Sequence, residues 1–145
     1  MAMNLIIYAQ NKQNQDEKIT LCQANGFWGL WYRLCNCRHV DSDPYKRYLL
    51  REVWQEFLNY IEPNIELIKS ASLLYGLEES GFNLSESQKQ VIKEFQEWHG
   101  DTFEYTPVIG YNADAMSLIK WYEDKDEVWK FLYNNDYHVI ISILG

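Results

Sequence analysis

The sequence is poor in cysteine and contains no long apolar run. Its three cysteines, Cys22, Cys35 and Cys37, are an odd number, which does not suit a disulfide framework and indicates free thiols in a reducing compartment. No segment approaches the roughly 18 apolar residues that a membrane-spanning helix needs. The apolar run from Leu5 to Ala9 is too short for a secretion signal, and no Lys or Arg precedes it. We therefore expect a cytoplasmic protein that does not associate with membranes.

Basic residues are also scarce, since 13 Lys and Arg stand against 21 Asp and Glu, which gives a net charge of −8. Nucleic-acid binders gain affinity by neutralising phosphates with Lys and Arg, and anionic membrane surfaces attract the same residues. The composition therefore argues against direct binding of nucleic acid. The acidic excess lies in residues 52–145, whose net charge is −11, whereas residues 1–51 carry +3.

The common local signatures of catalysis and cofactor binding are missing. The sequence contains no Walker motif, no GxGxxG, no GxSxG, no HExxH, no CxxC and no EF-hand loop. We therefore expect no cofactor and a protein that is not an enzyme. A small cytosolic enzyme with a Cys/His or carboxylate site remains the alternative, because many small enzymes lack local signatures.

The chain is long enough to form a stable core without help from disulfides or metals. Its 145 residues fit a single globular domain, residues 1–145, and 47% of them are hydrophobic. A domain of this length buries about 68–70% of the surface of its unfolded chain.

Strand-forming residues lie at both ends of the chain. Two short apolar runs, Leu5 to Ala9 and Ile19 to Gln23, are separated by a polar stretch and predict a hairpin with a long loop. The nearly continuous apolar run from Tyr137 to Leu144 predicts a strand in the centre of a sheet.

Helical patterns occupy most of the chain between these strands. Residues 26–40 fit both helical and strand spacing, and we favour a helix capped by Asn25. Asp43 and Pro44 predict the start of a helix that ends at Ile61. Further helices are predicted after Asn64, from a capping box at Ser85 to Gly100, from a cap at Asn112, and from Val128 to Tyr133. A loop is predicted from Asp101 to Tyr111, with a short strand at Thr102 to Tyr105. The predicted fold class is α+β, a small antiparallel sheet of the N-terminal hairpin and the C-terminal strand packed against four to six helices.

A group of cysteine and histidine residues is a candidate metal site. On a strand, Cys35, Cys37 and His39 would point the same way, and Cys22 could complete a set that zinc accepts. The C-x12-C-x-C-x-H spacing matches no common zinc module. In a helix, the side chains of Cys35 and Cys37 would diverge by about 200°. Since cysteine is also a common small buried residue, we expect no bound metal.

Histidine-based catalysis has two candidates in the sequence. A cysteine could serve as nucleophile beside His39, His99 or His138, and two nearby arginines, Arg33 and Arg38, would favour the thiolate. His99 could act as a general base near Glu94 or Asp101. The simpler interpretation of His99 is a residue at a helix C-terminus that interacts favourably with the helix dipole.

Acidic and aromatic residues cluster together in residues 121–136. Trp121 lies roughly 100° from the apolar stripe of its helix and is predicted as an exposed interface anchor, unless it packs under the 101–111 loop. The predicted partner-binding residues are Trp121, Glu123, Asp124, Asp126, Glu127 and Trp129, with Glu78 and Glu79 as a second acidic group.

These features together predict a non-enzymatic protein of the inhibitor or immunity type. Its partner is expected to be a basic protein, either a toxin domain or a nucleic-acid-processing enzyme. Such proteins have basic surfaces because they hold nucleic acid, and an acidic surface accelerates encounter with them and competes with the phosphate backbone.

Overall fold

A computed structural model of the protein describes residues 4–25, 38–40, 43–104, 107 and 110–144. Within these ranges, five antiparallel strands form one sheet in the order β2-β1-β5-β4-β3. The strands are β1 (Asn4–Asn11), β2 (Lys18–Asn25), β3 (Arg38–Val40), β4 (Asp43–Tyr48) and β5 (Tyr137–Leu144).

In the described part of the chain, the helices lie between β4 and β5. They are α1 (Arg51–Ile61), α2 (Ile65–Glu79), α3 (Glu86–Phe103), α4 (Tyr111–Glu123) and α5 (Lys125–Leu132), with a 3-10 turn at Glu62–Asn64 between α1 and α2. The α+β prediction is confirmed. None of the helices in these described ranges combines the length and the apolar character that crossing a bilayer requires.

The N-terminal hairpin and the central strand are where the sequence predicted them. β1 pairs with β2 on one side and with β5 on the other. The side chain of Asn11 organises the hairpin loop, since its Oδ1 accepts the backbone N–H of Gln13 at 2.8 Å. Four consecutive residues of β5, from Val139 to Ser142, are buried. This burial explains why β5 is apolar at almost every position instead of alternating.

The predicted helix start at Pro44 is wrong, because Asp43–Tyr48 forms β4 and the helix begins at Arg51. β4 pairs with β5, with Tyr48 opposite Ile140, so the backbone of this segment forms its hydrogen bonds in the sheet. The predicted helix over residues 26–40 is wrong at its end, where Arg38–Val40 forms β3. Residues 26–37 lie outside the described part of the chain.

The start of α3 confirms one prediction, and its end corrects two. The Ser85 capping box is present: the Gln88 N–H donates to Ser85 Oγ at 3.2 Å, and Gln88 Oε1 accepts the Ser85 N–H at 2.8 Å. α3 continues past Gly100 to Phe103, so the predicted loop does not begin at Asp101 and the predicted strand at Thr102 is wrong. Phe103 is buried and packs edge-on against Trp98, which accounts for the extra turn.

The start of α4 differs from the predicted cap at Asn112. The helix begins at Tyr111 and its cap is Gly110, two residues before the predicted one; Gly110 has φ of 146°, a conformation that suits glycine. Asn112 contributes differently, because its side-chain Nδ2 donates to Oε1 of Glu79 at 3.0 Å. This bond joins the start of α4 to the end of α2.

Candidate partner-binding surface

An open groove of about 420 Å³ runs along the outer face of α4, and we call it the α4 groove. Helix α4 contributes side chains spaced three or four residues apart, which share one face of a helix. The lining residues are Ala113, Met116, Ser117, Ile119, Lys120 and Glu123 of α4, Ser72 of α2, and Gln23 and Ala24 of β2. The groove therefore follows the helix axis for about 15 Å, given the helical rise of about 1.5 Å per residue.

An exposed apolar side chain lines the α4 groove. Met116 is 58% exposed, and the half-buried Ile119 lines the groove beside it. A single exposed apolar residue is normal on a protein surface, but one that stands in a groove together with further apolar lining is typical of a contact site. Methionine is well suited to such a site because its flexible thioether adapts to different partners.

Carboxylates lie at both ends of α4. Glu123 lines the groove at the C-terminal end, and Asp126 and Glu127 are exposed in the first turn of α5. At the N-terminal end, the hydrogen bond from Asn112 holds Glu79, which is exposed together with Glu78. Asn112 and Glu123, the α4 residues next to the two acidic groups, are therefore about 16 Å apart along the helix, by the helical rise.

The two lysines on either side of Glu123 in the sequence, Lys120 and Lys125, contact residues of their own segment. Lys120 Nζ lies 3.0 Å from Oδ2 of Asp124, and this hydrogen bond and charge raise the pKa of Lys120. Lys125 Nζ lies 4.1 Å from the centroid of the Tyr122 ring. Glu123, Asp126 and Glu127 therefore make up the exposed negative surface at this end.

Asp124 lies close enough to β2 for its charge to act on Cys22. Its side chain is 23% exposed, whereas the thiol of Cys22 is buried. Burial and the charge of Asp124 together raise the pKa of Cys22, so its thiol stays protonated at neutral pH. Asp124 therefore acts on the interior of the protein in addition to contacting Lys120.

The prediction of Trp121 as an exposed anchor is wrong, because this side chain is fully buried. Its ring packs edge-on against Phe57 of α1 at a centroid distance of 5.3 Å. The buried arc of α4 consists of Asp114, Ala115, Ser117, Leu118 and Trp121. Trp129 in α5 is half-buried, and its ring lies 5.1 Å from that of Tyr133.

Sequence reasoning missed a buried pair between α3 and α4. Nε2 of His99 donates to Oδ2 of Asp114 at 2.8 Å, and neither side chain is exposed by more than 3%. Three aromatic rings, of Phe95, Phe103 and Tyr111, lie 5.3 to 5.9 Å from the imidazole. Only the helix packing brings Asp114 to His99, whereas the sequence indicated Glu94 or Asp101, whose side chains are exposed.

The candidate metal set is described only in part. Cys35, Cys37 and the side chain of His39 lie outside the described residues. Cys22 is a buried free thiol. Within the described ranges, no group of three or more His, Cys, Asp or Glu side chains could hold a metal ion.

Comparison with known proteins found no match among family models, curated proteins or solved structures. A function must therefore be inferred from the side chains themselves. Among the surfaces that the sequence indicated, the α4 groove is where an exposed apolar residue and carboxylates occur together.

Proposed function

We propose that this protein is a non-enzymatic inhibitor or immunity-type protein that binds and neutralises a basic protein partner through the α4 groove. The observation that supports the proposal most is the placement of exposed Met116 in the groove, between carboxylates at the two ends of α4. An apolar centre with a charged rim is the usual anatomy of a protein–protein interface.

The charges of the groove indicate the kind of partner. A toxin domain or nucleic-acid-processing enzyme presents Lys and Arg where it holds phosphates. Glu123, Asp126 and Glu127 would attract that surface from a distance and occupy the place of the phosphate backbone. Met116 would then supply contact area once the partner is bound.

The alternative of a small enzyme has less support. The His99–Asp114 pair has the distance of a catalytic dyad, but both side chains are buried beneath aromatic rings. The thiol of Cys22 is buried and protonated, whereas a nucleophilic cysteine has to be accessible as its thiolate. Both groups contribute to the core instead of facing a substrate.

The proposal also places the protein in the cytoplasm. The free thiol of Cys22 suits a reducing compartment, where the nucleic-acid-processing targets of such inhibitors act.

Affinity capture with two matched variants tests this function. The groove variant carries Glu123→Lys, Asp126→Lys and Glu127→Lys. The control variant carries Glu94→Lys, Glu97→Lys and Asp101→Lys, which change the net charge equally on the exposed face of α3. Wild type, groove variant and control are immobilised and exposed to extract of the source cells, and retained proteins are identified by mass spectrometry.

We expect wild type and control to retain the same basic protein and the groove variant to lose it. Equal retention by all three proteins would contradict the proposal, and so would a retained partner whose contact surface is acidic. A far-ultraviolet circular dichroism spectrum of each variant checks that the fold is intact.

A further inference from the structure

A second pocket lies where β4, α1 and β5 meet, and none of its lining residues is shared with the α4 groove. Its volume is about 590 Å³, which is within the range of about 300–1,000 Å³ that small-molecule sites occupy. The polar lining residues are Tyr48, Arg51, Glu52, Tyr137 and His138, and the apolar ones are Leu49, Leu50, Phe131, Leu132 and Val139. We call it the Arg51 pocket.

Two contacts orient the guanidinium of Arg51. Its Nε donates to the backbone oxygen of Leu132 at 2.7 Å, and its central carbon lies 4.5 Å from the centroid of the Tyr133 ring. Among the described residues, no carboxylate forms an ion pair with Arg51. The two terminal amino groups therefore remain as a planar fork of donors, the geometry that recognises phosphate and carboxylate oxygens.

His138 adds a second nitrogen group to the same pocket. Its ring lies 4.9 Å from the ring of Tyr48 on the neighbouring strand. Partial burial and the positive charge of Lys12 lower the pKa of His138. Lys12 therefore makes the electrostatic potential at His138 more positive, although the net charge of the protein is −8.

Among the described residues, the acidic ones to consider at the pocket are Glu52, Glu17 and Asp136. Glu52 is the one carboxylate among the described lining residues, and it is exposed in the first turn of α1. Glu17 lies beyond Tyr137, whose hydroxyl donates to it. Asp136 precedes Tyr137, and its backbone oxygen accepts the Lys12 N–H.

We propose that the Arg51 pocket binds a small phosphate monoester that carries a planar ring. Arg51 would hold the phosphate through its terminal amino groups, and His138 would add a hydrogen bond. The pocket is much larger than a phosphate group, and the aromatic side chains of Tyr48 and Tyr137 in its wall offer stacking surfaces for a ring. This site is independent of the proposed binding of a basic partner, so either proposal can fail without the other.

Phenyl phosphate and inorganic phosphate are suitable probes, and isothermal titration calorimetry is the measurement. We expect wild type to bind phenyl phosphate saturably and inorganic phosphate about tenfold more weakly, because the latter lacks the ring. Arg51→Gln should weaken the binding of phenyl phosphate by about tenfold or more, since it removes charge-assisted hydrogen bonds. Glu52→Gln should tighten it a few-fold, since it removes the negative charge from the pocket wall.

Lys69→Gln is the matched control, because Lys69 is an exposed cation on α2 and does not line the pocket. It should leave binding unchanged, whereas a loss equal to that of Arg51→Gln would contradict a specific site. Wild type that shows no saturable binding of phenyl phosphate would also overturn the proposal, and equal affinity for both probes would overturn the role of the ring.

Arg51→Lys keeps the charge without the planar fork and serves if Arg51→Gln does not fold. It should bind phenyl phosphate more weakly than wild type. A second readout needs no variant: addition of phenyl phosphate to wild type should raise the pKa of His138, followed by NMR, because a bound anion favours the imidazolium. An unchanged pKa would contradict the placement of the phosphate beside His138.

Discussion

Nε2 of His99 and Oδ2 of Asp114 are 2.8 Å apart in the interior of the protein, where they join α3 to α4. The pair lies on the buried side of α4, and the groove lies along the opposite side of the same helix. A buried polar pair of this kind has a defined geometry, so it helps to fix the rotation of α4. That rotation determines which side chains of α4 face the groove.

Replacement of Asp114 should therefore destabilise the fold strongly. Asp114→Ala removes the acceptor of the His99 hydrogen bond in the interior and should lower the free energy of unfolding by about 3 kcal/mol. Urea denaturation followed by circular dichroism gives this value. Asp126→Ala, at an exposed position, is the control and should change it by less than about 0.5 kcal/mol. Equal effects of the two substitutions would contradict a structural role of the pair.

The thiol of Cys22 should be unreactive in the folded protein. Burial and Asp124 raise its pKa, and the thiolate is the form that alkylating reagents attack. In a Cys35→Ser/Cys37→Ser background, iodoacetamide at pH 8 should label Cys22 only after denaturant is added, as read by mass spectrometry. Rapid labelling under native conditions would show that the thiol is accessible, against its observed burial.

The same raised pKa predicts how stability depends on alkaline pH. Above the ordinary thiol pKa of 9.0, the unfolded chain loses the Cys22 proton while the folded chain keeps it. The free energy of unfolding should therefore fall as the pH rises above that value. In the same double-serine background, Cys22→Ala should show a shallower decline, and equal slopes would contradict the shift.

His138 predicts a dependence of the opposite sign at acidic pH. Its pKa in the folded protein lies below the ordinary value of 6.5, so the unfolded chain takes up the proton first as the pH falls. Stability contributed by the neutral imidazole is present above pH 6.5 and is lost at lower pH. Denaturation curves at several pH values between about 7 and 5 should show a steeper loss for wild type than for His138→Gln. A steeper loss for the variant would contradict the direction of the shift.

The elements that the sequence predicted are those whose signals are local. The capping box at Ser85 depends on residues three positions apart, and the continuous apolar run of β5 reports its own burial. β4 was mistaken for a helix because Asp43 and Pro44 resemble a helix start, while its pairing with β5 joins residues almost 100 positions apart in the chain. No local pattern contains that contact.

The candidate site is visible in the sequence only in part, for the same reason. The charges of Glu123, Asp126 and Glu127 can be read from the sequence, and these side chains are exposed, while their role in binding stays a prediction. The burial of Trp121 depends on the rotation of α4 against α1, which brings the tryptophan onto Phe57. The Arg51 pocket was missed because its lining comes from two strands and two helices that meet only in the folded chain.

The salt dependence of association with the captured basic partner tests the central claim most directly. Stopped-flow measurements at about 50 and 500 mM salt should show that the association rate constant of wild type falls as salt rises, because screening weakens steering by Glu123, Asp126 and Glu127. At low salt, the groove variant should associate more slowly than wild type, and the α3 control should remain close to wild type. Met116→Ala should mainly raise the dissociation rate, because it removes contact area within the groove. An association rate constant that does not change with salt, or that is the same for wild type and groove variant, would contradict the assignment of the α4 groove as the acidic binding surface.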